Sequence, residues 1–217
     1  MSGPASLRAV LFDWDGTLVN TAEASYRCYM KLFGSYEIPF DRDAFQRTYS
    51  PNWHLTYTAV GLPRERWAEA DRRWLEHYCQ EPVVLLDGAR EALLRVRGAG
   101  LSAGIVTSGD RVRVARELGT LEVASLLSTV VCAEDSVNRK PHPEALLLAL
   151  ERLGLGPHQA AYVGDSPEDV HMARAAGVLA VGIPGAFPNR EALLAARPEV
   201  LAPDLGAALD HVFSRIS

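Results

Sequence analysis

Short apolar runs recur along the chain, at Val10 to Phe12 and then at Leu101 to Val106, Thr129 to Ala133, Ala160 to Val163 and Leu179 to Ile183. None alternates apolar with polar residues, so each reads as a strand buried on both faces, the pattern of a parallel sheet covered by helices. The stretches between the later runs have helical spacing and readable ends. Pro143 opens ALLLALERLG, which predicts Leu146, Leu147, Leu150 and Leu153 on one face and Gly154 as the stop, and a second helix is predicted from Pro167 to Ala176, halted by Gly177. Strands alternating with helices give the α/β fold class.

From Leu18 to about Leu86 the pattern changes. No buried-strand run occurs there, and the amphipathic periods are helical, so residues 18–86 read as a mostly helical inserted domain, leaving 1–17 and 87–217 as the α/β core. Tyr26, Tyr29, Met30 and Phe33 fall at helical spacing, as do Trp67, Trp74, Leu75 and Tyr78. We read both stripes as helix packing inside the small domain rather than as a ligand wall. Two connections to the core suit a lid that opens and closes.

With 217 residues, 48% of them hydrophobic, the chain can bury one good-sized core and a smaller module. A formal charge of −5 offers no basic face to a nucleic-acid backbone or an anionic membrane. No apolar stretch approaches the roughly 18 residues of a membrane span, and the opening MSGPASLR lacks the apolar segment of a secretory signal, so the expected location is cytoplasmic. Cys28, Cys79 and Cys132 are far apart in no metal-like spacing and read as reduced, mostly buried thiols. The basic residues are arginine except at Lys31 and Lys140, which raises the chemical interest of those two.

Four pieces follow the ends of predicted strands or stand at a helix start, where open α/β sheets gather their ligands: Asp13-Trp14-Asp15-Gly16-Thr17, Thr107-Ser108-Gly109, Lys140-Pro141, and Gly164-Asp165-Ser166-Pro167-Glu168-Asp169. Taken singly, Asp165 also reads as a helix cap, Thr107 as a turn residue, Lys140 as a solvated lysine and His142 as a surface or helix-start residue with no chemistry assigned. Taken together, several carboxylates, one lysine and a hydroxyl make a cation site beside an anion site. A hard, oxygen-binding metal such as Mg²⁺ would satisfy the carboxylates, while the lysine and hydroxyl would hold a phosphoryl group.

DxDGTL, a strand-ending Thr-Ser, Lys-Pro-His-Pro-Glu and GDSPED, in this order, resemble the haloacid dehalogenase superfamily of phosphohydrolases over almost the whole chain. The insertion at 18–86 is similar in place to the helical cap of the phosphoglycolate phosphatase and β-phosphoglucomutase relatives. The resemblance implies a Rossmann-like core, Mg²⁺ as cofactor and Asp13 as the nucleophile that forms an aspartyl-phosphate. It implies Asp15 as general acid and then base, metal ligation by Asp13, the Asp15 carbonyl and Asp165 with Asp169 in support, and phosphate contacts from Thr107, Lys140 and backbone N–H groups near Trp14, Asp15 and Ser108.

Departures within the family select among reactions. Asp15 argues against carbon–halogen cleavage, Lys31 is the sole lysine of the insertion and lies too early for a Schiff base, and no histidine precedes His54 as the mutases would have. Asn20 stands where relatives often carry aspartate. Hydrolysis of a small phosphorylated metabolite is therefore expected, with a β-phosphoglucomutase-like phosphotransferase or a catalytically silent binding protein as alternatives. The segment Tyr49 to His54, with Asn52, Trp53 and His54 as its polar and aromatic members, reads either as the selector of the leaving group or as an ordinary loop. Neither nucleic acid nor membrane is an expected partner, and the chain is expected as a monomer or homodimer.

Overall fold

In the computed structural model, residues 7–216 are described, so most of the opening segment read for a signal lies outside the described residues. The chain enters through strand β1 (Ala9–Phe12) and then leaves the sheet for four helices, α1 (Ala22–Gly34), α2 (Arg42–Thr48), α3 (Trp53–Ala59) and α4 (Trp67–Tyr78). It returns through α5 (Ala89–Gly98) into β2 (Ser102–Val106), α6 (Arg111–Thr120), β3 (Thr129–Val131), α7 (Glu144–Leu153), β4 (Ala160–Gly164), α8 (Pro167–Ala176) and β5 (Leu179–Gly182). The chain closes with α9 (Arg190–Ala196), β6 (Val200–Leu201) and α10 (Leu205–Phe213).

Among the described residues six strands form one parallel sheet, in the order β3-β2-β1-β4-β5-β6. This is the doubly wound, Rossmann-like α/β arrangement, and its order reverses at β1 and β4, which opens a crevice beyond their carboxyl ends. Successive residues feed opposite faces. Val10, Phe12, Ala103, Ile105 and Val163 pack with α5 and α10, while Ala9, Leu11, Val106 and Tyr162 pack with α7 and α8. The two-residue edge strand β6 is too short to carry a periodic signal, which is why the sequence pattern did not reveal it.

Helices α7 and α8 end as their glycines dictate: Gly154 and Gly177 adopt φ of 66° and 72°, a left-handed conformation that stops a helix at little cost. The predicted leucine face needs one correction. Leu146 and Leu150 are buried, but Leu147 is 41% exposed, because it stands one residue round the helix from the stripe. Met30 likewise points outward on α1, whereas Tyr29 and Phe33 are buried. Of the cysteines, Cys28 and Cys132 are buried and Cys79 is exposed.

Helices α1–α4 bury an aromatic cluster of their own, with Tyr29, Phe33, Phe45 and Tyr57 at its centre and Phe187 of the α/β layer packed against it. The two segments that link these helices to the sheet run side by side. Asn20 N–H donates to Val84 O at 2.9 Å and Leu86 N–H donates to Leu18 O at 2.9 Å, with Val19 and Leu85 paired antiparallel between them. Among the described residues, no helix is long and apolar enough to cross a membrane.

Candidate active site

The loop after β1 is wound tightly by its own backbone. Gly16 N–H donates to Val19 O at 2.9 Å, and Leu18 and Val19 both donate to Trp14 O at 3.0 Å. Gly16 sits at φ +83°, and a Cβ there would collide with the Asp165 carboxylate and lie 2.7 Å from the Phe187 ring, so both backbone and space require glycine. Asp13 still follows the strand, its N–H donating to Val163 O at 2.9 Å, and its carboxylate therefore stands at the switch between β1 and β4.

Lys140 reaches this carboxylate from the segment before α7. Its ammonium has three protons and three partners, donating at 2.7 Å each to Asp13 Oδ1, Asp169 Oδ1 and the Tyr162 hydroxyl. The side chain is 6% exposed, so this is a buried cation fixed between two buried carboxylates. Burial works against its charge, but the Asp13 and Asp169 carboxylates outweigh it and raise the Lys140 pKa. Asp13 Oδ2 takes no hydrogen bond from the protein among the described residues.

Asp169 stands at the third position of α8 in a capping box. Ser166 N–H and Oγ donate to its Oδ2 at 3.1 and 2.7 Å. Both its oxygens are thus engaged by protein donors. Gly164 is needed behind it, since a Cβ there would lie 2.5 Å from Asp169 Cγ.

Asp165 is different: it is 2% exposed and its Oδ2 is buried with no partner among the described residues. Oxygens of Asp13, Asp165 and Asp169 all lie within 4.8 Å of one another. Burial pushes the Asp13 carboxyl up to about 7 against the pull of Lys140, with Asp169 adding to the rise. Asp165 is raised well above the carboxylate range by burial and by the Asp13 and Asp169 charges. Three clustered carboxylates with one lysine leave negative charge uncompensated when ionised, and one oxygen of Asp165 is buried without a partner among the described residues. These residues fit a hard divalent cation, which would supply the missing charge and the missing partner.

Thr107 and Ser108 continue β2. Thr107 Oγ1 is buried and accepts the Gly109 N–H at 2.9 Å. The N–H groups of Trp14, Asp15 and Ser108 donate to no acceptor among the described residues, leaving three backbone donors on the two loops that flank Asp13. The Trp14 side chain turns away from the site; it is fully buried and donates its indole N–H to Glu117 Oε2 at 2.7 Å, so only its backbone can meet a ligand.

Asp15 is held from α6. Asp110 caps that helix by accepting the Arg113 N–H at 2.9 Å, and the Arg113 guanidinium grips both oxygens of Asp15, at 2.9 and 2.5 Å. Arg113, Glu117 and Tyr162 were missed in the sequence. The legible signals were a tyrosine inside the small-residue strand AAYVG and an Arg-Glu pair four apart on α6.

A cavity of about 440 Å³ joins this centre to the helical insertion. Tyr29, Tyr49, Trp53, Tyr57, Trp74 and Phe187 line it, so the aromatic stripes that read as packing alone also form a cavity wall. Tyr49 stacks on Phe187 with centroids 4.4 Å apart. Of the predicted selector residues, Trp53 lines the cavity, with its indole N–H donated to Asp71 Oδ1 at 2.8 Å and the Arg139 guanidinium 4.1 Å above its ring. Asn52 and His54 are not in the lining. His54 lies 3.2 Å from Asp71 and stacks on Trp67, and both Trp53 and His54 belong to the first turn of α3 rather than to the loop. Lys31 pairs with Glu81 at 3.3 Å, and His142 is exposed.

The model of the haloacid dehalogenase-like hydrolases matches residues 10–183. The chain belongs to this family. The phosphoglycolate phosphatase of Salmonella typhimurium is 30% identical over 90% of this chain and 88% of its own length. That of Escherichia coli O157:H7 is 29% identical over 93% and 90%. A crystal structure described as a "predicted phosphoglycolate phosphatase" from Haemophilus somnus superposes with a TM-score of 0.85, covering 96% of this chain and 99% of that one at 20% identity. The match spans both the sheet and the insertion, so this chain is a hydrolase of the family with the fold of its phosphatase members.

Proposed function

We propose that the protein is a Mg²⁺-dependent phosphatase that hydrolyses a small phosphorylated metabolite through an aspartyl-phosphate on Asp13, with residues 18–86 acting as its cap. The observation that carries this reading is a buried carboxylate, Asp13, with one oxygen held by Lys140 and the other without a donor among the described residues. The curated phosphoglycolate phosphatases support the phosphatase class, and a phosphoglycolate-like or sugar phosphate is the proposed substrate type.

Asp13 Oδ2 attacks phosphorus and the bond to the leaving oxygen breaks, which splits one difficult displacement into two easier ones. Asp15 gives a proton to the departing oxygen, and then takes one from the water that attacks the phosphoryl group and frees Asp13. The N–H groups of Trp14, Asp15 and Ser108 would donate to the phosphoryl oxygens, Thr107 would add its hydroxyl from the strand end, and Lys140, held by Asp13, Asp169 and Tyr162, would supply positive charge beside them. Asp13, Asp165 and the Asp15 carbonyl would hold Mg²⁺, with Asp169 behind them orienting Lys140. When bound, the ion supplies Lewis-acid stabilisation of the phosphoryl oxygens and neutralises the carboxylate cluster. The aromatic wall of the cavity excludes water and receives the leaving group.

The test is hydrolysis of p-nitrophenyl phosphate and of a panel of phosphorylated metabolites with Mg²⁺ and with EDTA. Turnover lost on chelation and in Asp13→Asn is expected. Full turnover without a divalent metal, or an unimpaired Asp13→Asn variant, refutes the reading, and no turnover of any phosphomonoester leaves the silent binding protein in its place.

A further inference from the structure

Arg113 lies outside all four motif pieces, yet it makes the closest contacts to Asp15. It enters from the first turn of α6, is 5% exposed, and presents one nitrogen to each Asp15 oxygen. Its Nη1 also donates to both oxygens of Glu117 at 3.2 Å, one helical turn on, and Glu117 is fully buried. Glu117 in turn accepts the indole N–H of Trp14, the residue next to Asp15. The contacts therefore close a ring from Trp14 through Glu117 and Arg113 to Asp15. The guanidinium also lies 5.0 Å above the Tyr78 ring at the end of α4, and neighbouring Arg116 donates to Cys79 O at 3.3 Å, so α6 grips the end of the insertion as well as the β1 loop.

We propose that Arg113 is the positioning residue for Asp15, fixing the plane and place of its carboxylate for proton transfer to and from the reacting oxygens. This rests on the role assigned to Asp15 above. A buried planar fork that engages both oxygens defines an orientation, which a single-point ammonium cannot do. Glu117 holds the guanidinium from the far side, and the Tyr78 face limits its tilt.

A misplaced acid matters only where the departing oxygen is basic. An alkoxide needs the proton as the P–O bond breaks, whereas p-nitrophenolate departs without it. The kinetic constant to read is kcat/KM, which covers the steps through the first P–O cleavage. A purely structural arginine would affect both kinds of substrate alike.

Two variants keep the test clear of misfolding. Arg113→Lys retains a cation between Asp15 and Glu117 but loses the fork, and the double variant Arg113→Met with Glu117→Gln removes the buried pair together. Each is compared with Asp15→Asn on p-nitrophenyl phosphate and on the best-hydrolysed alkyl phosphate among 2-phosphoglycolate, glycerol 3-phosphate and glucose 6-phosphate. The alkyl-to-aryl ratio of kcat/KM should fall about tenfold or more in both arginine variants and further in Asp15→Asn, since general acid catalysis is worth roughly 10²–10⁴. If Asp15→Asn lowers the ratio and neither arginine variant does, Arg113 is structural and the inference is overturned. If Asp15→Asn leaves the ratio unchanged, the assignment of Asp15 fails, and the role of Arg113 with it.

Discussion

Replacing Lys140 with methionine removes the one cation buried between Asp13 and Asp169, and the consequence for stability can be worked from the contacts. Three hydrogen bonds of 2.7 Å are lost, two of them to carboxylates that are then left facing each other with no countercharge. Breaking a buried ion pair by removing one partner typically costs about 3–5 kcal/mol, because the surviving charge stays desolvated. For a chain of this size that corresponds to a fall in Tm of roughly 6–20 °C, at about 2–4 °C per kcal/mol. The assay is thermal or urea unfolding in EDTA, where no metal can stand in for the lysine. The companion is a double-mutant cycle with Asp169→Asn, which removes one stranded charge while its amide oxygen can still accept from Ser166. In the Lys140→Met background that second substitution should recover stability, giving a coupling of about 1.5 kcal/mol or more. A loss below about 1 kcal/mol for Lys140→Met, or a cycle additive to within about 0.5 kcal/mol, would show that Lys140 does not compensate the two carboxylates.

Three further outcomes are expected. Asp135 is pushed up by burial, but the Cys132 N–H, Arg152 and Arg111 outweigh that and hold its carboxyl at about 2. Because this pKa lies below that of the unfolded chain, its stabilisation is present above about pH 4 and is lost as pH falls through 2; Asp135→Asn should cost about 2 kcal/mol at neutral pH and nothing near pH 2. A pH-independent difference between the two proteins in urea melts would contradict this. Gly16→Ala should lose at least about 2 kcal/mol, from the left-handed backbone and the collision with Asp165 and Phe187, and an unchanged Tm would argue against the loop geometry. Trp53→Ala should raise KM about tenfold for the best substrate with kcat little changed; an unaltered KM would place leaving-group recognition elsewhere in the cavity.

Much of the fold was legible because buried strands and helix stops are local signals. The runs around Val10, Ile105, Val163 and Val181 are strands, and Gly154 and Gly177 end their helices. The acidic and basic motif residues were legible because each follows a strand end or opens a helix, and topology then brings Asp13, Lys140, Asp165 and Asp169 together. What could not be read was reach. Arg113 meets Asp15 from 98 positions away along a long flexible side chain, and Lys140 finds the Tyr162 hydroxyl inside a strand that reads as purely apolar. Leu147 and Met30 are exposed although their apolar character groups them with the buried stripe, because each stands one residue off it. Trp53 and His54 read as loop residues but open α3, since the pattern does not say where that helix begins.

Transfer of the phosphoryl group to Asp13 is the step on which the proposed function depends. Acid-quenching the enzyme with a ³²P-labelled substrate and Mg²⁺, followed by peptide mapping, tests it most directly. Label is expected on the peptide containing Asp13, absent from Asp13→Asn and chased away by unlabelled substrate. Turnover with no protein-bound label, together with an Asp13→Asn variant that keeps its rate, would contradict it.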